Sequence, residues 1–152
     1  MKRKYLYAAV FFICALVVGL AYVASAPSVD ELIDSAEYSL VIGGEKVRVT
    51  IADSDATRAQ GLSGKEGLAE DEGMLFVFPQ DGVHGFWMKD MLFSIDILWM
   101  SSGKEIVHVE ENVSPDTFPT SFGPKIATRY VLELPAGFVK AHNVAVGDVA
   151  SF

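Results

Sequence analysis

A charge-free apolar run, "YLYAAVFFICALVVGLAYVA", fills residues 5–24. As a helix at 1.5 Å per residue it reaches about 30 Å, the thickness of a bilayer's hydrocarbon core. Lys2, Arg3 and Lys4 precede it. The pattern therefore predicts one N-terminal transmembrane or signal helix, with the amino end in the cytoplasm and the rest exported. Two outcomes stay open. Ala24, Ser25 and Ala26 form a small-x-small cleavage pattern, which favours a removed signal peptide. The length of the run exceeds a usual signal core, which favours a retained anchor. Residues 27–37 are polar and acidic and read as a tether, so the domain plan is 1–26, 27–37 and 38–152.

From Tyr38 the period changes to two. Tyr38, Leu40 and Ile42 alternate, Gly43 and Gly44 supply a two-residue turn, and Val47, Val49 and Ile51 alternate on the return. This predicts a hairpin. Asp53 or Ser54 caps a short helix over 56–60, and Gly61 ends it. Residues 63–72 read as a loop, 73–78 as a buried strand and 79–82 as a turn. Strands are expected over 83–89 and 94–100, with 101–104 turning the latter into 105–110. Residues 112–124 hold Pro115, Pro119, Gly123 and Pro124 and predict a long irregular connection. A strand over 130–134, a short helix-like segment over 138–142 and a last strand over 149–152 complete the chain. Seven or eight short strands with one or two short helices make it mainly β. The expected form is a compact β-rich domain, barrel-like or a sandwich.

Composition narrows the function. Beyond the first four residues, nine basic residues face twenty acidic ones. That balance opposes nucleic-acid binding, which needs a basic surface, and opposes docking on anionic headgroups. The single cysteine, Cys14, lies in the apolar run behind Ile13. The exported part has no thiol for a disulfide, a nucleophile or a metal.

Candidate chemistry centres on "GFWMKDM", residues 85–91. On a strand, Trp87 and Lys89 share one face and would set an ammonium beside an indole. That pairing suits a small anionic or hydroxylated ligand. Asp96 sits between Ile95 and Ile97 and needs a partner if buried, with Arg58 or Lys89 the candidates. Glu133, between Leu132 and Leu134, alternates outward by default but joins Arg58, Trp87, Lys89 and Asp96 as a candidate ligand-binding residue. His84, His108 and His142 show no close metal-ligand spacing, and the acidic clusters lack the calcium-loop pattern, so neither metal nor cofactor is expected. No nucleophile signature occurs, so no catalytic residue is assigned. An envelope hydrolase would need Lys89 with Asp96 or Ser121. Asn112, Val113 and Ser114 form a glycosylation sequon followed by Pro115.

Six motifs occur in order. They are Arg58-x-x-Gly61-Leu62, Gly73-Met74-Leu75-Phe76-x-Phe78, Phe86-Trp87-Met88-Lys89, Ile95-Asp96-Ile97, residues 131–137 "VLELPAG", and Gly147-Asp148. Together they resemble the domain of unknown function 192 family over about residues 38–152. The resemblance implies a compact β-rich domain, often behind an export signal, and implies no activity. Asp90, Ser94 and Ser63 stand where that family commonly has Asn, Pro and Met. The expectation is an extracytoplasmic β domain, tethered to the cell membrane or secreted after cleavage near Ala26. It would bind a small molecule, a glycan or an envelope protein, and not nucleic acid. The alternatives are the hydrolase above and a purely structural assembly module.

Overall fold

The computed structural model describes residues 38–152. The anchor or signal helix, the cleavage pattern, the acidic tether and Cys14 lie outside the described residues. Among the described residues no helix is long and apolar enough to cross a membrane.

Strands β1 (Tyr38–Ile42) and β2 (Glu45–Ala52) form the expected hairpin, with Ile42 opposite Glu45. Gly43 and Gly44 have φ of 59° and 81°, the left-handed values a two-residue turn requires. Helix α1 (Asp55–Gln60) follows, and Ser54 is its cap. The Ser54 hydroxyl accepts from the Thr57 amide at 3.1 Å, and the Thr57 hydroxyl accepts from the Ser54 amide at 3.0 Å. This reciprocal capping starts a helix of only six residues where propensity alone would not. α1 carries the chain across to β3 (Glu72–Gly82), which runs parallel to β2.

Two expectations change here. The turn over 79–82 is instead the end of β3, which continues through Pro79 with a register shift between Val77 and Gly82. Pro79 has no N–H to give a ladder, so the strand bulges where it passes. The strand over 83–89 does not form. Only Phe86 pairs, exchanging bonds of 2.9 and 2.8 Å with Phe122. The two segments meet at glycines: a Cβ on Gly85 would lie 2.6 Å from Ser121 Oγ, and one on Gly123 would lie 2.9 Å from the His84 carbonyl. Such a crossing makes one close contact and no ladder. Asp90, at φ 56°, then bends the chain away; Asp and Asn tolerate that conformation better than other side chains.

Strands β4 (Ile95–Met100) and β5 (Ile106–Val113) pair antiparallel as expected. After a 3-10 turn at Pro115–Thr117 and the irregular connection, β6 (Thr128–Pro135) inserts between β3 and β4. Helix α2 (Phe138–Ala141) comes next. The chain is mainly β: one six-stranded open sheet, in the order β1-β2-β3-β6-β4-β5, with two short α-helices. Among the described residues no second sheet faces it and β1 does not pair with β5, so the sandwich and barrel-like forms are both corrected to a single open sheet. The last strand, over 149–152, reduces to two isolated bridges, Val149 with Glu105 and Ser151 with Val41. These bridges lie beside the two edge strands, so the final segment spans from one sheet edge to the other.

Each face of the sheet carries its own core. Leu40, Val47, Leu75, Leu98 and Leu132 share one cluster with Phe138 and Val139 of α2. Met74, Phe76, Ile97, Trp99 and Val131 share the other with Leu62, Met88 and Met91 from the connections. β4 is buried at all six positions because both faces and both edges are covered.

Candidate functional site

On the second face, β3 and β6 form the floor of a cleft. α1 and the turn after it make one wall, and the connection after β3 makes the other. The cleft has a volume of about 240 Å³ and is lined by Arg58, Gly61, Leu62, Phe76, Phe78, Phe86, Trp87, Met91 and Glu133, among others. Phe76 and Phe86 meet edge to face at 4.8 Å. Trp87 is 57% exposed at the mouth, with its ring 5.9 Å from that of Phe118.

Among the five candidates, Glu133 is the one that is both buried and left with an unpartnered polar atom. Strand alternation turns it away from Leu132 and Leu134, but the face it meets is the cleft and not open water. It is 5% exposed, and its Oε2 is buried with no hydrogen-bond partner among the described residues. Burial penalises the charged carboxylate and pushes its pKa from 4.5 up to about 8. At neutral pH it is therefore a carboxylic acid, able to donate an O–H.

Arg58 also lines the cleft, but its guanidinium is engaged. It donates to the carbonyls of Asp53 and Val77 and pairs with Asp55 at 2.6 Å. It also lies 5.3 Å over the Phe78 ring. The expected Arg58–Asp96 pair is absent. Asp96 is fully buried on the opposite face of the sheet. Its carboxylate accepts from the amides of Asn112 at 2.8 Å, Gly137 at 3.1 Å and Val139 at 2.9 Å. The last two are the amides that open α2, so Asp96 caps that helix from a neighbouring strand. Lys89 is exposed and does not line the cleft; only its carbonyl is engaged, by the Ser63 hydroxyl at 2.9 Å. The strand that would set Lys89 beside Trp87 is missing. Of the five candidates, the structure brings together Arg58, Trp87 and Glu133. It separates Lys89 and Asp96, and so does not assemble a hydrolase set of Lys89 with Asp96.

His84 flanks the cleft from behind Phe78. The two rings stack at 3.5 Å with 9° between their planes. Desolvation, ahead of all other causes, lowers its pKa below the ordinary value and so favours the neutral ring. His108 and His142 stand beside Glu110 and Glu45 respectively. Among the described residues no three His, Cys, Asp or Glu side chains gather where a metal ion would bind.

Residue-by-residue reading missed the carbon walls: Leu62, Phe76, Phe78 and Met91. A signal for them was present. Four of the six ordered motifs, those holding Gly61, Phe76, Phe86 and Glu133, converge on this cleft. The family model of DUF192, described as an uncharacterized ACR, matches residues 38–152. The chain belongs to the DUF192 family. Within it, a UPF0127 protein of Pyrococcus furiosus is 30% identical over 115 residues, covering 71% of this chain and 90% of that one. A UPF0127 protein of Pyrococcus abyssi is 33% identical over 106 residues, covering 66% and 82%. A crystal structure from Sinorhizobium meliloti 1021, of a protein that carries a transcription-regulator name, matches with a TM-score of 0.69 and 31% identity. It covers 74% of this chain and 88% of that one. DUF192 membership places the six-stranded sheet among related folds and brings no activity with it.

Proposed function

We propose that residues 38–152 form a small-ligand-binding domain whose site is the aromatic cleft over Glu133. One observation carries this reading: a carboxyl group, nearly all buried and unpaired at Oε2, lies at the floor of a concave apolar site. A buried polar atom without a partner costs about 1–3 kcal/mol, and a bound ligand can supply the missing partner. Ligand sites in general combine apolar walls with a few placed polar groups. Arg58 and Asp96 belong to the scaffold in this reading, the first holding α1 on β3 and the second holding α2 on β4.

The domain acts outside the cytoplasm, tethered by residues 5–24 or released after cleavage near Ala26. The support is the basic start followed by an uncharged run long enough to span a bilayer. The transcription-regulator name of the Sinorhizobium meliloti protein is not carried over. Residues 38–152 hold nine Lys and Arg against sixteen Asp and Glu, a balance that repels a phosphate backbone.

A fragment screen read by amide and indole chemical shifts of the full-length protein tests the site. Binding fragments are expected to move Phe76, Phe86 and Trp87 together, and Trp87→Ala is expected to weaken them about tenfold, as loss of one aromatic contact surface does. Fragments that shift only residues outside the cleft, or no fragment binding at all, would remove this reading.

A further inference from the structure

Resting on the cleft as a ligand site, we infer that its ligand is an uncharged molecule with a flat apolar body and one hydrogen-bond-accepting oxygen. It enters head first, with that oxygen meeting the Glu133 carboxyl. Glu133 rises between its registered neighbours, Met74 on β3 and Ile97 on β4. Neither side chain offers it a conventional hydrogen-bond partner or a charge. Leu62, Phe76, Phe86 and Met91 present only apolar side chains. Three other polar side chains lining the cleft already donate elsewhere. Arg58 holds two carbonyls and Asp55, Gln60 Nε2 donates to the Ser63 carbonyl at 2.8 Å, and the Ser63 hydroxyl donates to the Lys89 carbonyl.

This distribution selects among ligand chemistries. A sugar carries hydroxyls all around its ring, and most would lose water without gaining a partner. A carboxylate would bring a second acid to the buried one. An ammonium would need Glu133 ionised within apolar walls. A single carbonyl oxygen on an apolar ring leaves neither side unpaired, and so does an amide whose N–H groups face the water at the cleft mouth. The volume agrees: an apolar cavity of about 150 Å³ holds one benzene ring, so about 240 Å³ leaves room for a ring and its head group.

Arg58 is the one other charged side chain lining the cleft. Burial is the cause that holds the acid protonated to about pH 8. A ligand accepting that proton therefore binds below this pH and is released above it.

Benzamide, benzylamine and benzoate share a ring and differ at the head, so they test the inference directly. Each is titrated into the full-length protein between pH 6 and pH 9, with the indole N–H signals as readout. Trp87 reports the cleft. Trp99, buried and donating to the His84 carbonyl at 2.8 Å, reports that the fold is intact. Benzamide is expected to move the Trp87 signal, with affinity about tenfold weaker at pH 9 than at pH 7. Glu133→Gln keeps an N–H donor and is expected to bind benzamide with that pH dependence gone. Benzylamine or benzoate binding in place of benzamide overturns the inference and leaves the cleft as a binding site. Benzamide affinity that ignores pH in the unmodified protein overturns it as well. Silence of Trp87 toward all three, with no fragment binding in the cleft either, takes down the site reading with it.

Discussion

Two carboxylates one register step apart show how much a single residue's surroundings decide. Ile97 pairs with Glu133 and Asp96 with Leu134, so the two acids leave adjacent positions toward opposite faces. Asp96 meets three backbone amides; Glu133 meets apolar side chains and a cleft. The consequence for Glu133 is a pH-dependent stability with a definite sign. Its folded-state pKa of about 8 lies above the ordinary 4.5. Between those values the folded protein holds a proton that the unfolded chain releases. The Glu133 contribution is thus full below about pH 4.5 and is lost as pH rises through about 8. At about 1.4 kcal/mol per pH unit, the whole window is worth on the order of 5 kcal/mol. Urea unfolding of the unmodified protein and Glu133→Gln between pH 7.5 and 9 checks the upper end of this window, where about 0.8 kcal/mol is still to be lost, in a range above the ordinary histidine pKa. The unmodified protein is expected to lose stability across it and the variant to stay level; parallel profiles would show that Glu133 is not buried as an acid.

The elements are short, and each depends on one local device. α1 has a capping box from its own sequence: the cap was legible as Asp53 or Ser54, and the structure decides for Ser54, with Thr57 reciprocating. α2 has only four residues, and its cap Gly137 offers no side chain. Its opening amides go to Asp96, more than forty residues upstream. Replacing Asp96 by Ala would strand three backbone amides, one buried and two partly buried, and is expected to cost about 3 kcal/mol, seen as a lowered urea midpoint. A loss under about 1 kcal/mol would mean that water or a shifted α2 takes over the bonds. Alternation correctly marked the hairpin of β1 and β2 and that of β4 and β5, because both partners of each pair lie close in sequence. It failed over residues 83–89. There the side-chain pattern was strand-like, yet only Phe86 finds a partner, in a segment more than thirty residues away.

At the scale of the whole molecule, the open sheet leaves β1 and β5 as edges, and the final segment lies beside both. Ser151 exchanges two backbone bonds with Val41, and Ala150 donates to the Lys104 carbonyl at 3.0 Å. The Phe152 ring packs on Tyr130 at 5.2 Å and under the Lys104 ammonium. Unpaired strand edges promote pairing between molecules. Removing residues 147–152 is expected to lower the melting temperature and to raise the light scattering of the folded protein. A truncated protein that stays monomeric with unchanged melting would show that the edges need no cover.

The sequence by itself determined the β character, the hairpins, the start of α1 to within one residue, the acidic balance and the family, because these rest on spacing between near neighbours or on ordered local motifs. Only the tertiary structure decided the roles of the buried acids. Whether Glu133 faced water or a cleft, and whether Asp96 was a ligand group or a helix cap, depended on which strand lay beside β6 and which connection covered each face. Those pairings join residues tens of positions apart, and burial, which sets a carboxyl group's charge, exists only once they have formed.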